Sequence, residues 1–131
     1  MELKIIKENE RQLFNDFMAH GPKGHVLQSY EWGEVKRRTG WQPLRFLLMD
    51  GKKPVAGISI LKRRIQIPGL NKCIFYAPRG PVADFTDKKT LETLVSNIKT
   101  LAQRHGAIML KIDPDIKAPD SEADALLKSL G

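Results

Sequence analysis

Cysteine is almost missing from this chain: Cys73 stands alone among 131 residues. A single thiol excludes an intramolecular disulfide framework. In the run Lys72-Cys73-Ile74-Phe75-Tyr76 it has no Cys or His beside it to make a metal site, so it reads as an inert core residue in a protein of a reducing compartment. Long apolar runs are lacking too. None approaches the roughly 18 residues that a membrane span needs, and the N-terminus Met1-Glu2-Leu3-Lys4-Ile5-Ile6-Lys7-Glu8 carries acids where a signal peptide would be apolar. The expectation is a soluble, cytoplasmic protein, with peripheral contact to a membrane-bound substrate left open. Histidine is scarce: His20, His25 and His105 lie in or beside turns and helix ends. No nucleophilic triad assembles from them, and no His/Cys/Asp/Glu set has metal-ligand spacing. Neither a metal nor a cofactor is expected. His105, followed by Gly106, reads as a cation at a helix C-terminus.

Acids are sparse in one stretch. From Lys23 to Arg79 there are twelve basic residues against Glu31, Glu34 and Asp50, so that segment is +9 and the remainder −2 within a net charge of +7. Concentrated positive charge raises the local concentration of nucleotides, phosphates or RNA. For any one cluster the ordinary role is a solvated basic surface.

The length of 131 residues fits one domain. Leu3-Lys4-Ile5-Ile6 reads as a first strand and Glu8 to Ala19 as a helix with Leu13, Phe14, Phe17 and Met18 on one face. Gly21-Pro22-Lys23-Gly24 breaks the chain, and a short helix follows from an N-cap at Ser29 through Arg38, stopped by Gly40. Gln42 to Met49 and Pro54 to Gln66 are β-prone, and Asp50-Gly51 between them is a hairpin signal. Lys72 to Tyr76 reads as a strand and Ala77-Pro78-Arg79-Gly80-Pro81-Val82 as irregular, because proline interrupts a ladder. The clearest helix spans Asp87 to His105, with Leu91, Leu94, Val95, Ile98, Leu101 and Ala102 at helical spacing and Gly106 as its cap. Ala107 to Asp113 is a largely apolar, buried strand, and a final helix is expected over Asp120 to Ser129. The order β-α-α-β-β-β-α-β-α predicts an α/β (α+β) fold, a mixed, mostly antiparallel sheet with helices on both faces. The end at Gly131 reads as a cut at a loop, so residues 1–131 are expected to be one truncated N-terminal subdomain of a larger protein.

Phosphate-binding loops need glycines that let backbone amides approach the ligand, and neither a Walker-type loop nor a dinucleotide fingerprint is present. The element order resembles the GNAT acyltransferase fold. The nearest match to that fold's pyrophosphate signature, Arg37-Arg38-Thr39-Gly40-Trp41-Gln42, fails at its last position and precedes the hairpin. Three side chains carry the candidate chemistry. Lys36 lies four residues after Trp32 on one helical face, so the ring would fix where the ammonium points. Arg79 sits in a proline-bounded turn, ready for a phosphate or carboxylate. Asp113 ends a strand before Pro114, where a carboxylate can face a cleft. Their plainer roles are a surface lysine, an arginine bonded to backbone carbonyls and an Asp capping its own turn.

The serial segments Gln28-Ser29-Tyr30-Glu31-Trp32-Gly33-Glu34-Val35-Lys36 with Gly40-Trp41, Phe75-Tyr76-Ala77-Pro78-Arg79-Gly80-Pro81 and Leu110-Lys111-Ile112-Asp113-Pro114-Asp115 resemble the Fem family of FemA/FemB/FemX-like peptidyltransferases. The resemblance covers nearly the whole chain. It implies a GNAT-like subdomain, one of two, in an enzyme that transfers an amino acid from aminoacyl-tRNA to the stem peptide of a UDP- or lipid-linked muropeptide. That reaction builds interpeptide bridges and needs no cofactor. It also implies that Lys36 contacts the precursor's diphosphate, with Trp32 as its support, and that Asp113 and, more weakly, Arg79 contact substrate. Catalytic groups, and a second cation for the diphosphate, are expected beyond residue 131. Two rival roles remain: an acyl-coenzyme A-dependent GNAT N-acyltransferase, and a non-catalytic basic module that binds RNA.

Overall fold

The computed structural model describes residues 1–20, 26–84 and 86–114. Strands β1 (Glu2–Ile5), β2 (Gln42–Asp50), β3 (Lys53–Arg64), β4 (Cys73–Arg79) and β5 (Ala107–Pro114) form a five-stranded sheet in sequential order. The first three pairings are antiparallel and β4–β5 is parallel. Helices α1 (Arg11–His20) and α2 (Tyr30–Arg37) lie on one face, and α3 (Lys88–His105) makes the parallel crossover on the other. This is the expected mixed, mostly antiparallel sheet flanked on both faces. The helix expected over residues 120–129 lies outside the described residues.

Local chemistry explains most boundaries. Ser29 caps α2 by accepting from the Trp32 amide at 3.2 Å, and Asp87 caps α3 by accepting from Thr90. Gly106, at φ 71°, ends α3 in the left-handed conformation that glycine reaches without steric cost. In the β2–β3 hairpin Asp50 pairs with Lys53, so the turn residues are Gly51 and Lys52; Gly51 has φ 63°. Positive φ at the first central position alone is the type II′ pattern, which matches strand twist.

Alternation divides the sheet's two faces. Phe46, Leu48, Ile58, Ile60, Cys73, Phe75 and Ala77 pack against Leu91, Leu94 and Ile98 of α3. On the opposite face Phe14, Met18 and Tyr30 of the two N-terminal helices cluster with Leu47 and Val82. Leu13, expected on the core face of α1, is instead 40% exposed; α1 starts only at Arg11, after a 3-10 turn over Glu8–Glu10. Cys73 is buried, as expected, and its thiol donates to the His105 carbonyl.

Two expectations fail in β4 and β5. The segment through Pro78 is strand rather than irregular, because β4 pairs with β5 as far as Arg79↔Pro114. The carbonyl of Pro78 accepts from Gln28. In an extended strand a residue's N–H and C=O point to the same side, so the missing N–H of Pro78 also faces Gln28, away from β5, and no ladder bond is lost. Strand β5 is not buried. It is the edge of the described sheet: Leu110 and Ile112 are partly buried against the core under α3, while Ile108 is 62% and Met109 51% exposed.

Gln28 itself is fully buried. Strands β3 and β4 pair only up to Leu61↔Tyr76 and meet again at the Gly57↔Val82 bridge. In the gap the Gln28 amide acts as a piece of substitute backbone. Its Oε1 accepts from Ser59 N at 2.8 Å, and its Nε2 donates to Ser59 O at 3.0 Å and Pro78 O at 2.9 Å. Gly80 lies against the same side chain: a Cβ there would come within 2.8 Å of Nε2. The strand split is thus wedged open by one side chain at the place where Arg79 leaves the sheet.

Candidate functional site

Helix α2 is held on the sheet by a buried cation. Arg45 of β2, 6% exposed, donates from Nη2 to Tyr30 O at 2.9 Å and Glu34 Oε2 at 2.6 Å, with its guanidinium 3.5 Å from the Tyr30 ring centroid. Gly33 makes this passage possible, since a Cβ at that position would sit 2.6 Å from Arg45 Nη2 and 3.0 Å from Pro43 Cβ. The Arg45 hydrogen bond, aided by Arg37, holds the Glu34 carboxyl below its usual range despite partial burial. On the outer side Arg11 and Asn15 of α1 bond Glu31, and Asn15 accepts from Tyr30 N. So Tyr30, Glu31, Gly33 and Glu34 of the motif fix the helix, which leaves Trp32 and Lys36 to act outward.

The Lys36 ammonium lies 5.3 Å from the Trp32 ring centroid, the contact that their four-residue spacing predicts. The buried indole N–H of Trp32 has no hydrogen-bond partner among the described residues, so the ring acts here through packing and its π face. The Lys36 carbonyl accepts from Thr39 N and Trp41 N, curling the chain from α2 into β2.

Arg79 is the last residue of β4 and also stands in the expected turn, where Gly80 N donates to Ala77 O at 3.2 Å. Its φ is 57°, in the left-handed region that costs a residue with a Cβ about 1–2 kcal/mol. Register brings the backbones of Arg79 and Asp113 to the same end of the sheet, with Pro78↔Asp113 and Arg79↔Pro114 as partners. Lys36 sits elsewhere, where α2 turns into β2 near Trp41.

Between these two groups lies a stripe that sequence reasoning missed. The Trp41 and Tyr76 rings are 6.5 Å apart at 54°. The Arg63 guanidinium is 5.0 Å from the Trp41 centroid and the Lys111 ammonium 5.4 Å from that of Tyr76. Arg63 is anchored by donating to Thr39 O at 3.1 Å. The only sequence signal was aromatics interleaved with cations, and it is spread over some seventy positions.

His105, expected to be a C-terminal cation, is half-buried with its ring edge on Phe75. Burial chiefly, and then the nearby Lys62, push its pKa below the ordinary 6.5, and Nδ1 lies 3.0 Å from the Lys62 ammonium, so it accepts as a neutral ring. The unfolded chain therefore takes up the proton first. The contribution from neutral His105 is complete above pH 6.5 and is lost as pH falls below it. Relative to His105→Gln, the wild-type unfolding midpoint should drop progressively between pH 7 and 5; parallel pH profiles would refute this assignment.

Among the described residues no group of three or more His, Cys, Asp or Glu could hold a metal, and no helix is long and apolar enough to cross a membrane. A surface groove lined by Leu3, Lys4, Leu13 and Met49 lies at the β1 edge and shares no residue with the groups above.

Residues 9–128 match the FemAB family. A lipid II:glycine glycyltransferase of Staphylococcus haemolyticus is 38% identical over 134 residues, covering all of this chain and 30% of that protein. A Staphylococcus aureus protein of the same name is 36% identical over 118 residues, covering 88% of this chain and 27% of its own length. The crystal structure of FemX superposes with a TM-score of 0.87 at 30% identity, covering all of this chain and 32% of that one. A probable acetyltransferase superposes at 0.70 with 11% identity, covering 89% of its length, which shows a shared GNAT-like fold alone. The chain thus spans under a third of the curated relatives it matches.

Proposed function

Because this chain belongs to the FemAB family, we propose that its parent protein transfers an amino acid from aminoacyl-tRNA to the stem peptide of a lipid- or UDP-linked peptidoglycan precursor at the cytoplasmic side of the membrane. Residues 1–131 supply acceptor contacts and do not turn over alone. The observation that carries this reading is the match over residues 9–128, joined to 38% identity with a protein named lipid II:glycine glycyltransferase. Three features support the site assignment. Lys36 is a cation pre-positioned on an aromatic ring, suited to a diphosphate. Arg79 is an arginine kept at a backbone conformation where glycine would carry no steric cost. Asp113 is brought beside it by register.

The reaction joins the amine of the stem peptide to the aminoacyl ester carbon. The ester C–O bond breaks, the tRNA hydroxyl leaves with a proton, and the oxyanion formed on the way needs hydrogen-bond donors. In this proposal the 131-residue chain holds the acceptor by its anionic part while those donors come from the rest of the protein.

The acyl-coenzyme A alternative requires a phosphate at the α3 N-terminus after β4. That position holds acids instead: Asp87 caps the helix through Thr90 N and Oγ1, and Asp84 accepts from Thr86. The Asp87 carboxylate, already bonded to the Thr90 amide, repels a pyrophosphate.

Transfer assays on the full-length protein, with charged tRNA and a lipid II analogue as substrates, should give an extended stem peptide, while the isolated chain gives none. Acetyl transfer from acetyl-coenzyme A without aminoacyl transfer would overturn the reading.

A further inference from the structure

Helices α1 and α2 and the turn at Gln28 cover β1 to β3 on their face of the sheet, and among the described residues no helix covers the part over β4 and β5. Alternation places Ile74 and Tyr76 on this face, since Phe75 and Ala77 pack under α3. Here Arg63, Trp41, Tyr76 and Lys111 form the continuous cation-ring-ring-cation stripe, although they come from four different parts of the chain.

The stripe's two cations, together with Lys36, differ from other cations of the chain. The surface cations Lys4, Arg11, Arg37 and Lys88, and the buried Arg45, each pair with a carboxylate. Lys36, Arg63 and Lys111 make no ion pair among the described residues, and each lies over an aromatic ring instead. A cation on a ring is held in position without being neutralised, so its field stays available to an incoming anion. Lys36 and Arg63 are also mechanically linked. The turn that hangs from the Lys36 carbonyl presents the Thr39 carbonyl that anchors Arg63.

Trp41 and Tyr76 meet at 54°, too steep for one flat base to stack on both. A puckered sugar ring presents C–H groups in more than one direction and fits such a corner, with its hydroxyls left to water and to the flanking cations.

Given the acceptor-binding role proposed above, on which this rests, we infer that Trp41, Tyr76, Arg63 and Lys111 form a subsite for the sugar ring attached to the acceptor's diphosphate. The sugar packs into the Trp41–Tyr76 corner. Arg63 shares the diphosphate charge with Lys36, so this chain itself supplies the second cation expected from elsewhere. Lys111 faces an anionic group on the far side of the ring. The stripe then leads from Lys36 toward Arg79 and Asp113, in the direction the stem peptide must run.

The test uses the full-length protein, with calorimetry against two probes. One is a lipid II analogue with a short, water-soluble prenyl chain; the other is the same prenyl diphosphate without sugar. Trp41→Ala and Tyr76→Leu should weaken the lipid II analogue about tenfold and leave the sugar-free diphosphate unchanged. Arg63→Gln should weaken both probes. Lys111→Gln, an exposed change that leaves the fold intact, should weaken only the sugar-bearing probe, by about threefold. Wild-type affinity for the lipid II analogue in Trp41→Ala, Tyr76→Leu and Lys111→Gln would overturn the subsite while leaving the acceptor role in place. A wild-type protein that binds neither probe would overturn both. UDP-linked muropeptide, run in parallel, separates the two acceptor forms: both carry the sugar, and equal losses locate the contact on it rather than on uridine or lipid.

Discussion

Gln28→Leu should lower the free energy of unfolding by about 3 kcal/mol or more. The replacement fills similar space with apolar atoms but abandons Ser59 N, Ser59 O and Pro78 O, all bonded to the Gln28 amide. Each buried backbone group left without a partner costs about 1–3 kcal/mol. The strands cannot close to repair the loss, because the ladder between β3 and β4 stops at Leu61↔Tyr76. Gln28→Glu sharpens the test. A carboxylate keeps an acceptor for Ser59 N but faces the Ser59 and Pro78 carbonyls with no proton to donate. Its pKa should therefore rise in the folded state, and this variant should regain stability as pH falls, where a protonated carboxyl can donate once. Urea unfolding of both variants across pH 4 to 8 checks this. A loss below about 1 kcal/mol in Gln28→Leu would show that the amide is not the clamp between the strands.

The contrast between Gln28 and its neighbour Ser29 shows what a sequence can disclose. Ser29 was legible as an N-cap because its partner, Trp32 N, is three residues away and the chemistry is local. The Asp50-Gly51 hairpin, the Leu91-Leu94-Ile98 face and the Gly106 stop were legible for the same reason. Gln28 serves atoms 31 and 50 positions distant, and its role exists only once β3 and β4 splay apart. Pro78 was misread because proline excludes a ladder bond on one side only, and the side is set by tertiary pairing. His105 was misread because its charge depends on Phe75 and Lys62 packing against it. In the candidate site, Lys36 and Trp32 were visible through helical spacing. The stripe of Trp41, Arg63, Tyr76 and Lys111 was not, since strand register alone brings these residues together.

Lys36→Met in the full-length protein should weaken acceptor binding by about 10- to 100-fold with little change in stability, as expected for a charge-assisted contact worth about 1.5–3 kcal/mol. Methionine keeps most of the side chain's packing on Trp32, so the loss isolates the charge. The ring matters through the lysine. A free lysine side chain gives up as much as about 2 kcal/mol of rotamer freedom when it is fixed, and a ring already 5.3 Å from the ammonium removes part of that cost before the ligand arrives. Trp32→Leu should accordingly weaken acceptor binding several-fold when Lys36 is present and have almost no further effect in the Lys36→Met background. That non-additivity separates a positioning residue from a direct contact. Raising ionic strength should reduce the wild-type affinity more steeply than that of Lys36→Met, because one fewer charge takes part. Unchanged affinity in Lys36→Met would remove the diphosphate contact from this residue. Strictly additive losses would instead place Trp32 on the ligand itself, so that the ring and the ammonium recognise the acceptor independently and the helix serves only to present them side by side.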